Sequence, residues 1–511
     1  MKPFTAPWGE SLTGLPLQLV TITGCAAGFF VFGFDQGIAN ALTGNADFFV
    51  QFPRLAEDAT ILGTVLALFV LGAFAGCLTA SGIGNKIGRR PLLQVATVLT
   101  IVGAAGMAAA VNLGMFCAFR IINGFAIGIL TSIVPSFVGE IAKPANRGLL
   151  MSLELVFAAT GLMTAFWVAY GFANEQGPMG WRMPTALQGM FILVTLVALQ
   201  FTPESPRWLA EAGRYDEAHH VLERFHGREY ADAAMTEIKE AISIEHAAAE
   251  GKGYMDCFAN NDQCFRYRTL LAIGVNIAQQ LTGINMATYY SGSILINSVG
   301  MEPSKATLVL GGLGIAGLGF MIVGCFVMME KVGRVNTMVT GLVGCCIGQV
   351  LLAAGVGVDN KAGGVVAATG LYLFLCIFSG TWLPCAFVYS AEIVPLAIRT
   401  RAATLGVAFQ YIFNFMVVMV TPIAIERITW GFYVIFAVVN ALMIPVILFT
   451  APEVAGLSLE GTDALFQGGK VHMRRTVRVD VGGHVPALEL GKTEGSFEHV
   501  EKIESETAKF A

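Results

Sequence analysis

Twelve apolar stretches of about 20 residues or more divide the chain, near 16–43, 60–83, 91–112, 114–137, 148–173, 183–202, 269–298, 305–330, 335–357, 366–394, 400–424 and 430–451. That length crosses the hydrocarbon core of a bilayer as a helix. Helix is the required form, because long loops or open sheet edges would strand backbone polar groups in lipid, and the stretches lack the alternation of barrel strands. Between the sixth and seventh stretches the pattern changes: in "RWLAEAGRYDEAHHVLERF" apolar residues recur three and four apart between charged ones, as in helices lying in water. The expected fold is all-α and integral to the membrane. A short N-terminus (1–15) precedes six helices (16–202), a helical connector (203–268), six further helices (269–451) and a tail (452–511). From about residue 467 the tail is rich in Gly and charge with few aromatics, so it is expected to be largely disordered.

The two sets of six repeat a signature. Glu140 and Arg147 lie seven apart in "GEIAKPANRG", Glu392 and Arg399 lie seven apart in "AEIVPLAIRT", and 252 residues separate the copies. A second pair, "NKIGRR" (Asn85 to Arg90) and "EKVGR" (Glu330 to Arg334), falls at corresponding places. Duplicated six-span halves point to a transporter whose substrate passes between them.

Composition agrees: 55% hydrophobic and 13% charged residues, with a mean hydropathy of +0.66, exclude an ordinary soluble protein. The net charge of -5 says less than where the charges fall. With the N-terminus inside, the inner loops carry Lys86, Arg89, Arg90, Lys143, Arg147, Lys331, Arg334, Arg399 and Arg401, against Arg54, Arg182, Lys305, Lys361 and Arg427 outside. This excess predicts both termini in the cytosol. No cleavable signal is expected, because the first apolar run is too long and more spans follow. Most of the ten cysteines fall in spans and two in the connector, so no disulfide framework is implied. All seven histidines lie in the connector or tail, which leaves neither a metal site nor a histidine relay within the membrane.

A series of motifs resembles the sugar porter family of the major facilitator superfamily, in particular its fungal members. It runs through "FGFDQG" (Phe32 to Gly37), "GRR" (Gly88 to Arg90), "RIINGFAIG" (Arg120 to Gly128), "VPSFVGEIAKPANRG" (Val134 to Gly148), "PESPRWL" (Pro203 to Leu209), "QQLTGIN" with Tyr289 and Tyr290, and "PEVAGLSLEGTDALF" (Pro452 to Phe466). The resemblance implies two six-helix bundles, a substrate cavity at the bilayer midplane, alternating access by rocking of the halves, and a monomeric carrier. Its partners are then a small hydroxylated substrate, a proton and the lipid bilayer, with no cofactor and no nucleic acid.

Asp35 is the sharpest single residue. An ionised carboxylate within a span costs several kcal/mol unless it is paired or faces water. Arg120 is its expected partner, and in the family this pair marks proton coupling; the competing reading is a static salt bridge. Glu154, the other acid well inside a span, is either a polar contact or second proton site lining the cavity, or a carboxylate satisfied by neighbours. Gln279, Gln280 and Asn285 place amides on one side of a continuous seventh helix. Amides donate and accept, as sugar hydroxyls do, and family resemblance makes these substrate contacts; interhelical bonding is the alternative. Phe32, Tyr289 and Gln410 join them as expected contacts, and Phe387 stands where the family usually has a stacking tryptophan.

Departures from the family pattern matter as well. Leu155, Leu162 and Leu318 replace usual amides, each removing a hydrogen bond of about 0.5–1.5 kcal/mol net. The cavity is thus expected to be polar on the seventh helix and greasier opposite, which favours a polyol, a deoxygenated sugar or a partly apolar metabolite over a plain hexose. Arg89, Arg90, Glu140, Arg147, Glu204, Arg207, Glu330, Arg334, Glu392 and Arg399 resemble the family's inner-face latch between halves. Asn85 and Val335 depart from it where the family has Asp and Arg. The expected function is proton-coupled import of a sugar, polyol or related compound at the plasma membrane. Rival readings are a carrier, including an exporter, of a non-sugar metabolite and a non-transporting nutrient sensor. An enzyme is not expected, since no nucleophile–base or metal-ligand set falls within the spans.

Overall fold

Helices surrounded by lipid gain nothing from hiding apolar faces, so they associate where small residues let backbones approach. Gly33 and Gly161 mark one such crossing: a Cβ on Gly33 would stand 1.8 Å from the Ala158 carbonyl oxygen, and one on Gly161 1.9 Å from that of Phe30. A computed structural model describes residues 11–173, 175, 177–358, 360–457 and 459–473. The expectations for residues 1–10 and for the tail beyond 473 lie outside the described residues.

The first half consists of α1 (Gly14–Thr43), α2 (Ala59–Ile87), α3 (Arg89–Ala108), α4 (Leu113–Ile141), α5 (Pro144–Phe172) and α6 (Met179–Phe201). The polar stretch folds into α7 (Pro206–Glu211), α8 (Tyr215–His226) and α9 (Arg228–Ala249). The second half contains α10 (Phe265–Leu281), α11 (Ile284–Ser293), α12 (Pro303–Val323), α13 (Arg334–Gly357), α14 (Lys361–Gly380), α15 (Trp382–Ile393), α16 (Arg399–Ile428) and α17 (Gly431–Thr450), followed by α18 (Leu459–Ala464). The face carrying the start of α1 and the connector is called inner below, the opposite face outer. The halves meet where α2 packs on α16, α5 on α12 and α1 on α11.

Among the described residues, 11 helices are long and apolar enough to cross a membrane. The twelfth expected span, the seventh, is present but broken. Its pieces α10 and α11 have 17 and 10 residues and meet at Thr282 and Gly283. Gly283 has φ +94°, a left-handed conformation that side chains rarely adopt, and a Cβ there would lie 2.9 Å from the Phe436 ring. Asn440 of α17 donates to the freed Thr282 carbonyl at 3.1 Å, satisfying a backbone group that lipid could not. This corrects the expected continuous seventh helix: hydrophobic periodicity registers the apolar run and not the single left-handed residue inside it. The tenth span breaks similarly at Thr381, between α14 and α15.

The connector docks on the first half through α8, while α9 packs against Leu396–Ile398 of the second half. Phe225 is buried, Gln18 of α1 donates to its carbonyl at 2.6 Å, and Arg224 donates to the Leu12 carbonyl at 3.0 Å. The His226 Nε2–H donates to the Ile141 carbonyl at 2.8 Å. Its Nδ1 lies 3.3 Å from Gln18 Nε2 and accepts from it, which makes the ring the neutral tautomer. Burial holds the His226 imidazole below its ordinary value of 6.5.

Candidate functional site

Asp35 sits in α1 where the helix is enclosed by α4 and α6, and it is fully buried with Arg120. Arg120 Nη1 donates to its Oδ1 at 3.1 Å and to Oδ2 at 3.3 Å. Asn123, one turn after Arg120, donates to Oδ1 at 3.0 Å, and Gln188 of α6 donates to the same atom at 2.8 Å. Asn123 also donates to Gln188 Oε1 at 3.1 Å, closing a ring of amides around the carboxylate. The guanidinium lies 4.7 Å from the Phe69 ring centroid, and its Nε and Nη2 are buried without a hydrogen bond. The hydroxyl of Tyr289, on α11 of the other half, is likewise buried and without a hydrogen bond, in electrostatic reach of Arg120 and Asp35. The sequence pattern does not single out Asn123 and Gln188. Each is a lone amide inside an apolar span, which marks a polar group there but not its partner.

The amides of "QQLTGIN" do come together, although not through the spacing of one helix. The break at Gly283 turns Asn285 back so that its Nδ2 donates to Gln280 Oε1 at 2.5 Å. Gln280 donates to Gln279 Oε1 at 3.0 Å, and Gln410 of α16 donates to the same oxygen at 2.9 Å. Gln279 in turn donates to the Trp382 carbonyl at the α14–α15 break, at 3.4 Å. The chain of four amides links α11, α10 and α16. Phe387 is 38% exposed on α15, Phe32 is partly buried in α1 beside Phe29, and Tyr289 is enclosed. Glu154 is 4% exposed, and its Oε1 has no hydrogen-bond partner.

The inner charges form two matching sets. In the first half Arg89 Nη2 donates to Glu140 at 2.9 Å; in the second Arg334 Nη2 and Nε donate to Glu392 at 3.0 and 3.2 Å. Glu204 accepts from the backbone N–H groups of Arg89 and Arg90 at the start of α3, at 3.0 and 3.2 Å. Glu453 does the same for Arg334 and Val335 at the start of α13, both at 2.9 Å. Carboxylates at helix N-termini satisfy orphan donors and oppose the dipole. Burial holds Glu204 above its ordinary value despite those bonds. Glu453 was missed, although "PEV" echoes the "PES" around Glu204. These pairs lie within a half. Arg90 Nε donates to the Leu199 carbonyl at 3.0 Å, Arg207 pairs with Glu211 and Glu245 of the connector, and Arg147 is exposed beside Gly139. Arg399 begins α16, and the Glu330 side chain lies outside the described ones.

At the outer face a link between the halves emerges that periodicity did not reveal. Asn40 of α1 is buried; it donates to Ser291 Oγ and to the Thr288 carbonyl, the latter at 3.3 Å, and its Oδ1 accepts from Gly292 N–H at 2.7 Å. Thr43 Oγ1 adds a bond to the Tyr289 carbonyl at 3.2 Å. All of these partners belong to α11.

This arrangement has known counterparts. Residues 20–466 match the family model described as "Sugar (and other) transporter". The sugar transporter STL1 of Saccharomyces cerevisiae is 33% identical over 96% of this chain and 88% of its own length. The MFS-type transporter criB of Aspergillus cristatus is 31% identical over 90% of this chain and 96% of its own. The solved proton:xylose symporter XylE, bound to a deoxy-glucose analogue, superposes with a TM-score of 0.74 at 25% identity, over 88% of this chain and 99% of that one. With its duplicated halves, its twelve spans and this likeness along nearly its whole described length, the chain belongs to the sugar porter family of the major facilitator superfamily, a family of multi-pass membrane transporters.

Proposed function

We propose that the protein is a secondary active carrier that imports a sugar, polyol or related small hydroxylated compound together with a proton, by alternating access of its two halves. The observation that carries this reading is the Asp35–Arg120 pair, fully buried within the membrane and adjoining the interface with α11. Protonating Asp35 removes half of the pair and leaves Arg120 an uncompensated buried charge. Breaking such a pair costs about 3–5 kcal/mol, enough to drive a two-state equilibrium. The spare Nε and Nη2 donors of Arg120 and the free Tyr289 hydroxyl offer the charge a new partner on the opposite half.

Substrate recognition falls to Gln279, Gln280, Asn285 and Gln410, whose mutual bonds exchange for bonds to substrate hydroxyls, with Phe32, Tyr289 and Phe387 supplying apolar faces. Glu154 belongs to the first half's wall and is taken up below. The pairs Arg89–Glu140 and Arg334–Glu392, with Arg90, Arg147, Glu204, Arg207, Glu330 and Arg399, form the inner latch, which sits within each half in this outer-closed conformer. Six helices over 16–202 and six over 269–451 act as the rocking bodies of a monomer at the plasma membrane, both termini in the cytosol. Leu155 and Leu162 on α5 support a second reading, in which the cargo is a non-sugar metabolite with an apolar face.

The test is uptake of labelled glucose, galactose, xylose, glycerol, inositol and quinate into transporter-deficient cells at acid and neutral pH, with wild type and Asp35→Asn. Acid-stimulated uptake of one compound, lost in the variant, is expected. Uptake indifferent to pH and to Asp35 would make the protein a uniporter.

A further inference from the structure

Among the buried acids described above, Glu154 alone lacks a positive or hydrogen-bonded neighbour. Asp35 receives four hydrogen bonds, and Glu453 receives bonds from the backbone of Arg334, Val335 and Ala455. Glu154 is 4% exposed, its Oε1 is enclosed without a partner, and no ion pair among the described residues includes it. The titratable group in electrostatic reach is the buried Cys25 thiol on α1, itself uncharged, so no cation compensates a carboxylate there. An isolated carboxylate in such a place costs several kcal/mol, whereas a neutral carboxylic acid costs far less.

Position adds the second observation. Glu154 lies ten residues into α5 from the inner face, a depth of about 15 Å. Asp35 lies ten residues beyond Cys25 on α1, so it stands about 15 Å nearer the outer face than the level of Glu154. A proton leaving Asp35 for the inner solution must pass that level. We propose that Glu154 is a second proton-binding site, the release site on the inner side: it takes the proton that Asp35 gives up as the Arg120 pair re-forms, and loses it to inner water. One proton moves from carboxyl to carboxylate, and no other bond changes. The outer-closed conformer, with Asp35 paired and Glu154 isolated, matches the moment after transfer.

This inference rests on the symport reading, and the test separates the two. Purified wild type, Glu154→Gln, Glu154→Asp and Asp35→Asn are reconstituted in liposomes and given the panel compound that wild type accepts. Proton-driven net uptake and label exchange at equal pH are measured for each. Glutamine mimics the protonated acid and cannot release, so the ratio of driven uptake to exchange is expected to fall tenfold or more, with partial recovery in Glu154→Asp. An infrared carbonyl band of a protonated carboxyl, present in wild type at neutral pH and absent in Glu154→Gln, is expected independently of transport. An unchanged ratio, equal loss of uptake and exchange, or no such band would overturn the assignment. If wild type shows no proton-driven uptake, the symport reading fails and the release site with it.

Discussion

Replacing Asn40 by Ala tests whether one buried amide holds the outer ends of the halves together. The side chain makes three hydrogen bonds to α11: to Ser291, to the Thr288 carbonyl and from Gly292 N–H. At about 0.6 kcal/mol each, the average measured for such bonds within membranes, their loss removes roughly 2 kcal/mol from the outer-closed state. A factor of ten per 1.4 kcal/mol converts this to a roughly 30-fold rise in the outer-open fraction. Thr288→Cys provides the reporter, since Thr288 is buried at this seam and its hydroxyl bonds only within its own helix. Labelling by a membrane-impermeant maleimide from outside should accelerate by that order when Asn40→Ala is added. Gly292→Ala should act in the same direction, because its new Cβ would meet Asn40 Oδ1 at 2.4 Å. An unchanged labelling rate, or a rise matched by a lower melting temperature, would refute the argument. The first would mean that the amide carries no gating energy, the second that the fold has merely loosened.

Glu453→Gln should lower the melting temperature by the equivalent of about 1–2 kcal/mol, since a charge is lost from the start of α13. Glu204→Gln should add to it almost independently, because the two sites share no partner; strong coupling between them in thermal unfolding would contradict two separate caps. Gly161→Ala drives a Cβ to 1.9 Å from the Phe30 carbonyl and should cost about 1–3 kcal/mol or more, read as loss of the monodisperse peak in detergent chromatography. His226 is held below 6.5 by burial and by nearby Lys143, so the folded chain resists protonation that the unfolded chain accepts. Stability is therefore full above 6.5 and declines as pH falls through the folded value. Proteolysis of the connector should quicken below pH 6.5 in wild type and show a flatter pH profile in His226→Gln.

What the sequence disclosed and what it hid follow from the range of each interaction. Apolar runs and the seven-residue Glu–Arg signature are local, so the twelve spans, the duplication and the polar connector were legible within a few residues. Asp35 and Arg120 were legible together because membrane burial leaves an acid and a base few other choices. Asn40, Asn123 and Gln188 were not, since a lone amide in an apolar run carries no sign of its partner, and their partners lie 65 to 252 residues away. The seventh span is more instructive, for there the amides do meet, but not for the reason their spacing suggests. Gln280 and Asn285 were grouped by the pitch of one continuous helix, but Gly283 breaks it, and the break brings the two side chains into contact. The break also determines what the amides can do. A continuous helix would hold Asn285 at the angle to Gln280 that the helix pitch dictates, whereas the break at Thr282 and Gly283 sets α11 at its own angle to α10. The same segment carries Asn285 toward the amide row, Tyr289 toward Arg120 and Ser291 toward Asn40. The sites proposed above for substrate contact and proton coupling thus share these ten residues with the outer link, so a rotation of α11 would move all three together. That is the physical requirement for coupling: one element with two positions, biased from several sites.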